Sequence, residues 1–268
     1  MSAGQQSPST PRRRGVRVVL IGLNTLLALS CLAIAVLGDL PWQAKLVVGL
    51  LGLLWLTWLP LAWRAWSPRS QDARPDPARV RTADGASIVD LDPAPVRGGL
   101  WVTSGLAAVA LLATTLGVAD GDVGASLVLG VPFLVIFTLP ALDLLLAVRR
   151  GASVALSPSE VRVRGWRAES RLAWGDVAGV DVDSVDGRAH YRVRGLASGQ
   201  SWAGRHLPRA WPTKDPLRLG EVLVPVEAVG GHGPLLFRTI QRAAQDPAAR
   251  SRLGTEGGTA MLVDPTLT

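Results

Sequence analysis

The chain has 268 residues with a formal net charge of +7, and 48% of its residues are hydrophobic, so a membrane protein is the first class to test. The single cysteine, Cys31, excludes an intramolecular disulfide and a cysteine-rich metal site. The basic excess is typical of chains that contact nucleic acid or an anionic membrane surface, and the positions of the charges decide between these two partners.

Four apolar runs approach the roughly 20 residues that a helix needs to cross the hydrocarbon core. They cover residues 18–37, 46–63, 99–119 and 125–148. Each run is predicted to be helical, because backbone polar groups have no water partners in lipid. The first run lacks a small-x-small cleavage site, which argues against secretory processing. The sequence therefore predicts an all-α membrane part of four transmembrane helices in two hairpins, 18–63 and 99–148.

The basic residues that flank these runs predict their orientation. Twelve arginines lie in residues 1–17, in residues 64–98 and directly after the fourth run, whereas the connections 38–45 and 120–124 contain Lys45 as their one basic residue. Since arginine and lysine accumulate on the inner side, both termini are predicted to be cytoplasmic in a multi-pass protein of the cell membrane. The lipid bilayer is thus the first predicted partner.

The segments outside the apolar runs differ in composition. Residues 1–17 are predicted to be a disordered basic N-terminus, and residues 255–268 a flexible tail. Residues 64–98 are rich in Pro, Arg and Asp and are predicted to be a flexible cytoplasmic linker with a short strand at 86–91. In an alternative interpretation, the Ala-Asp-Gly-Ala-Ser-Ile-Val pattern of this linker adds an edge strand to the C-terminal domain.

Asp143 is the one charged residue within the four runs. A carboxylate inside a membrane suggests a functional role by default. Asp143 is, however, less than two helical turns from Arg149, so a structural role near the inner interface is the preferred interpretation. Pro132 and Pro140 are predicted to kink the fourth helix. Kinks occur in transporters, and a small transporter or channel component, or its regulatory subunit, is the alternative function.

From Gly151 onward the pattern changes from continuously apolar to alternating. Strands are predicted at residues 153–157, 160–165, 171–174, 177–182, 190–194 and 221–224, and Asp186-Gly187 predicts a short turn. Pro234 is predicted to open an amphipathic helix, and Pro247 to end or kink it. This order predicts a small α+β barrel or sandwich with one C-terminal helix, covering residues 151–254.

Three stretches of this domain resemble bacterial PH-like domains attached to membrane hairpins. They are Val154-Ala-Leu-Ser-Pro-Ser-Glu-Val-Arg-Val-Arg-Gly, Arg171-Leu-Ala-Trp-Gly-Asp-Val-Ala-Gly-Val, and Leu235-Leu-Phe-Arg-Thr-Ile with the following Asp246-Pro-Ala-Ala-Arg. The chain is similar to the actinobacterial membrane proteins of the low-molecular-weight protein antigen PH-domain type. This resemblance implies a PH-like fold and a binding module, and it carries no catalytic residues. The long stretch 196–220 departs from the pattern.

The candidate binding residues are basic and aromatic. One group is predicted to share the outer face of a single sheet and to dock on anionic lipid headgroups; it comprises Arg162, Arg164, Arg192 and Arg194. Alternatively, these arginines are solvated strand residues balanced by Asp181, Asp183 and Glu160. A second group lies in the long stretch 196–220 and comprises Trp202, Arg205, Arg209 and Trp211. Three roles are open for this group: contact with the membrane, contact with a partner, or cover for the core.

Other kinds of chemistry lack a matching pattern. His190, His206 and His232 do not have the spacing of metal ligands. The glycines around His232 lack the Lys-Ser/Thr of a phosphate-binding loop, and no acid/base constellation is apparent. We therefore expect no cofactor, no nucleic-acid partner and no enzymatic activity. The predicted function is a membrane-anchored binding or scaffold protein that contacts an unidentified protein partner or the lipid surface.

Overall fold

The computed structural model describes residues 11–66, 74–185, 188–209 and 217–266, with the backbone alone for 11–21, 61–66 and 125. It contains two compact units. The first unit comprises Met1–Ala65 and Gly98–Ala141, and the second comprises Trp66–Arg97 and Leu142–Thr268. The second unit therefore includes the beginning of one long helix and the end of another.

The four apolar runs all form helices. These are α1 (Pro11–Leu37), α2 (Trp42–Trp66), α3 (Ala94–Ala119) and α4 (Val123–Arg150). Three are long and apolar enough to cross a membrane, over Trp42–Pro60, Ala94–Ala119 and Ser126–Arg150, whereas the described side chains of α1 form a shorter apolar segment, Gly22–Leu37. This pattern indicates a membrane protein.

The helices of the first unit pack closely where small residues allow it. A Cβ at Gly52 of α2 would meet the Leu32 side chain of α1, and a Cβ at Gly130 of α4 would overlap Thr114 of α3. Gln43 also donates a hydrogen bond of 3.0 Å to the Asp120 carboxylate. The absence of a side chain at Gly52 and Gly130 thus lets these helices approach each other closely.

Two antiparallel sheets make up most of the second unit. The six-stranded sheet has the order β1-β2-β3-β4-β5-β8, and the three-stranded sheet has the order β6-β7-β9. The strands are β1 (Val80–Ala83), β2 (Ala86–Asp90), β3 (Ser153–Leu156), β4 (Glu160–Arg164), β5 (Ala168–Ala173), β6 (Val177–Val185), β7 (Arg188–Gly195), β8 (Ala203–His206) and β9 (Glu221–Pro225).

The core of this unit lies between the sheets and an amphipathic helix. Alternate residues of the strands point inward, so that Val161 and Val163 of β4 are buried while Arg162 and Arg164 are exposed. Helix α5 (Val226–Val229) precedes α6 (Gly233–Gln245), which buries Leu236 and other apolar residues along one side. The helix predicted from Pro234 is thus confirmed, with its first residue at Gly233.

From Val80 to Asp90, the segment predicted to be a flexible linker forms two strands of the six-stranded sheet. Strands β1 and β2 form a hairpin, and β2 pairs with β3. Asp84 and Gly85 have φ of 52° and 67°, as a tight two-residue hairpin turn requires. The alternative interpretation, an added edge, is therefore the correct one, and it involves two strands.

The C-terminal segment is also ordered, contrary to the predicted flexible tail. Helix α7 (Pro247–Arg252) is followed by α8 (Glu256–Met261), and Met261 and Leu262 are buried. His232 fixes this segment, because its Nδ1–H donates to the Leu262 carbonyl at 3.0 Å while its Nε2 accepts from the Asp76 N–H at 3.0 Å. Burial of Met261 and Leu262 explains why this segment is ordered although its sequence is rich in glycine.

Candidate functional site

The four strand arginines do not share one face. Arg162 and Arg164 lie on β4 of the six-stranded sheet, whereas Arg192 and Arg194 lie on β7 of the three-stranded sheet. The predicted single arginine-rich face is therefore wrong, because the chain changes sheets between β5 and β6. No contiguous stripe of these four side chains exists to dock on a flat anionic surface.

Arg192 is instead the centre of an ion-pair network. Its Nε donates to the Asp181 carboxylate at 2.8 Å, and a terminal nitrogen donates to Asp183 at 2.8 Å. Arg194 also contacts Asp181, at 2.9 Å. The hydrogen bond from Arg192 lowers the pKa of Asp181, and the same bond raises the pKa of the Arg192 guanidinium. Arg192 and Arg194 are thus neutralised by Asp181 and Asp183, as the alternative interpretation of the strand arginines predicts.

The arginines of the six-stranded sheet are likewise mostly paired. Arg162 contacts Glu160 at 3.0 Å and Glu169 at 3.8 Å. Arg205 of β8 contacts Glu169 at 2.7 Å across the β5–β8 pair. Arg164 is exposed and makes no ion pair with a residue that the structure describes. The sheet surface therefore carries little uncompensated positive charge.

The long stretch 196–220 contains β8 and a tryptophan that covers the core. Trp202 is partly buried against the core, and its Nε1–H donates to the Glu221 carbonyl at 3.0 Å. Trp202 thus covers the core, which is one of the roles predicted for this stretch. Arg209 lies beyond β8, next to Pro208, whose carbonyl accepts a hydrogen bond of 2.6 Å from Arg150. Trp211 and the turn at Asp186-Gly187 lie outside the described residues.

The second unit also contains a cavity of about 390 Å³ that the sequence did not predict. The ends of α3 and α4 line it with Pro95, Val96, Leu144 and Ala147. Both sheets line the rest; their contribution includes Val163, Trp166, Arg167, Ser170, Arg188, His190, Glu221 and Leu223. The helix ends thus contribute apolar side chains alone, and every polar side chain comes from the strands or from the β4–β5 turn.

The polar groups of this cavity include both donors and acceptors. The Trp166 Nε1–H is buried, and among the described residues it has no hydrogen-bond partner. His190 is 5% exposed, and its Nδ1 lies 3.0 Å from the Arg188 carbonyl. Because a carbonyl can only accept, Nδ1 carries the proton, and Nε2 is left as an acceptor. Burial lowers the pKa of His190, which favours this neutral form.

The charges that line the cavity are unequally compensated. Arg167 lies 3.2 Å from Asp143, whose side chain is 2% exposed near the end of α4. Glu221 lies 3.7 Å from both Arg192 and Arg218. Arg188 is exposed and makes no ion pair within the described part of the chain. One positive charge therefore remains available at the cavity.

Asp143 has the structural partner that its position predicted, although the partner is Arg167 of the β4–β5 turn rather than Arg149. Trp166 and Arg167 at this turn are the sequence signal for the cavity, since turns favour small polar residues.

Histidines, cysteines and carboxylates of the described residues form no group of three or more that could hold a metal ion.

Comparison with known proteins gives no relative from which a site could be transferred. No protein-family model, curated protein or solved structure matches the chain significantly.

Proposed function

We propose that this protein is a non-enzymatic, membrane-anchored binding or scaffold protein. In this proposal α1 to α4 all cross the cell membrane, both termini are cytoplasmic, and a PH-like domain contacts a protein partner or anionic lipid at the inner leaflet. Two antiparallel sheets and the amphipathic helix α6 support the PH-like assignment. The strands β1 and β2, added from between α2 and α3, extend that architecture.

The observation that carries the proposal is the composition of the second unit. It combines both sheets with Leu142–Arg150 of α4 and Ala94–Arg97 of α3, which are ends of two candidate spans. Two residues separate α4 from β3, and three separate β2 from α3. A folded domain joined so closely to two spans is confined to the membrane surface, as a scaffold requires.

Asp143 gives little support to the alternative, a transporter component. A proton or ion path needs polar groups near the middle of the membrane. Asp143 is instead paired with Arg167 in the second unit. The alternative predicts substrate flux in proteoliposomes. The scaffold proposal predicts no flux, and it predicts a partner that copurifies with the full-length protein.

Membrane topology is the most direct test, and the single cysteine simplifies it. In a Cys31→Ser background, cysteines replace Asp39, Asp122 or Ser251, and intact cells are treated with a membrane-impermeant maleimide. We expect labelling at positions 39 and 122, and labelling at position 251 only after the cells are permeabilised. Labelling at position 251 in intact cells would overturn the proposed orientation.

A further inference from the structure

The cavity in the second unit has the size and lining of a small-ligand site. Its volume of about 390 Å³ lies within the range of about 300–1,000 Å³ that is typical of such sites. It is lined by the two sheets and by the ends of α3 and α4, and the lining residues all belong to the second unit. A macromolecule is too large to enter, so the occupant is a small molecule or one end of a larger amphiphile.

We infer that this cavity binds the headgroup of a single anionic glycerophospholipid whose headgroup carries hydroxyl groups. The inference rests on the proposed function in one respect, namely that the ends of α3 and α4 lie at the inner surface of the membrane. It differs from docking on a flat charged face, because the strand arginines that were candidates for such docking are mostly paired with carboxylates.

The distribution of the lining residues indicates an amphiphile. Val96, Leu144 and Ala147 belong to helices whose candidate spans begin at Ala94 and end at Arg150. These side chains provide an apolar wall next to the bilayer, where the glycerol and the first methylenes of a lipid would lie. Because the wall is formed by the ends of spans, the bilayer itself is the source of the ligand.

The polar lining specifies the headgroup. Arg188 is a cation without an ion-pair partner in the described part of the chain, and it matches a phosphodiester. The Trp166 Nε1–H is a buried donor that is free to bond to a ligand oxygen. His190 presents Nε2 as an acceptor, which requires a donor such as a hydroxyl group. A choline headgroup lacks such a donor and brings a second cation.

The test uses full-length protein in detergent, with phosphatidylglycerol, phosphatidylinositol or phosphatidylcholine added and bound lipid counted by native mass spectrometry. We expect one bound anionic lipid per chain, held at least tenfold more tightly than phosphatidylcholine. Val96→Trp fills the cavity from α3 and should reduce this binding more than tenfold. Leu100→Trp, on the same helix but outside the lining, should leave it unchanged.

Two further variants separate chemistry from folding. Ser170→Ala removes the hydroxyl and adds no bulk, and it should weaken binding about fivefold. Arg188→Gln should lower the preference for anionic over neutral lipid, whereas Arg238→Gln, at an exposed position on α6, should preserve it. A photoactivatable phosphatidylglycerol should cross-link to peptides that contain residues 163–170.

The outcomes distinguish this inference from the proposed function. Equal lipid binding by Val96→Trp and Leu100→Trp, or cross-links elsewhere in the chain, would overturn the cavity as a lipid site. The lipid-site inference would also be overturned by a soluble metabolite that occupies the cavity without displacing the bound lipid, because the lipid would then be bound elsewhere. The scaffold proposal survives each of these results if the cysteine at position 251 is still protected in intact cells.

Discussion

Replacement of Arg192 by methionine tests whether the arginines of the three-stranded sheet stabilise the fold or bind lipid. Arg192 makes two hydrogen bonds of 2.8 Å, to Asp181 and Asp183, and its side chain is 22% exposed. A charge-assisted hydrogen bond at a partly exposed position contributes about 1 kcal/mol, so the substitution should cost about 2 kcal/mol. This corresponds to roughly 30-fold faster amide exchange in β6 and β7.

Hydrogen-exchange mass spectrometry of the full-length protein in detergent measures this local opening. Arg238→Met is the matched control, because Arg238 is exposed on α6 and makes no ion pair with a described residue. Equal exchange in the two variants would refute the stabilising role. Loss of anionic-lipid binding in Arg192→Met, with unchanged exchange, would instead restore the original prediction of a lipid-docking arginine.

The network also predicts a pH dependence. The hydrogen bond from Arg192 lowers the pKa of Asp181 below its ordinary value of 3.8. The unfolded chain therefore binds this proton more readily, so the contribution of Asp181 is fully present above about pH 4 and is lost as the pH falls through the lowered pKa. In Arg192→Met, the free energy of unfolding measured with urea should therefore fall less steeply as the pH is lowered below about 4. An unchanged pH dependence would contradict the role assigned to Asp181.

Three further substitutions probe contacts that the sequence did not reveal. Arg167→Met removes the Arg167 cation from beside the buried Asp143 carboxylate and should cost about 3 kcal/mol, whereas the double variant with Asp143→Leu should cost less in thermal unfolding. His232→Phe removes the hydrogen bonds to Asp76 and Leu262 and should increase the rate of proteolysis within residues 253–266. Leu262→Ala should lower the unfolding free energy by about 3 kcal/mol, whereas a flexible tail would show no change.

The elements that sequence alone predicted correctly are those with a strong local period. Strand β4 alternates buried valine with exposed arginine, and α6 repeats its apolar residues at helical spacing. Strand β8 was missed because Ala203–His206 has no apolar alternation, and it lies at the edge of its sheet. Helix α8 was missed because Gly257 and Gly258 disfavour a helix, so its order depends on packing.

The candidate site was harder to predict, because it depends on distant pairings. The sequence shows that arginines and carboxylates are both abundant, but strand register decides which of them face each other. The register places Asp181 opposite Arg192 and Glu169 opposite Arg205. Both sets therefore became ion pairs rather than a free basic surface. The cavity needs residues from positions 95 to 225, and no local pattern links them.

The pairing of β2 with β3 explains how the walls of the cavity are held at a fixed spacing. Asp90 pairs with Ser153 at the end of this ladder, and the Leu91 N–H extends it by donating to the Ala152 carbonyl at 2.9 Å. The chain enters α3 just after β2 and leaves α4 just before β3. Because paired strands are about 5 Å apart, the sheet fixes the separation of these two helix ends. The ladder therefore sets the positions of Val96 and Leu144, which are apolar side chains that the two helix ends contribute to the cavity.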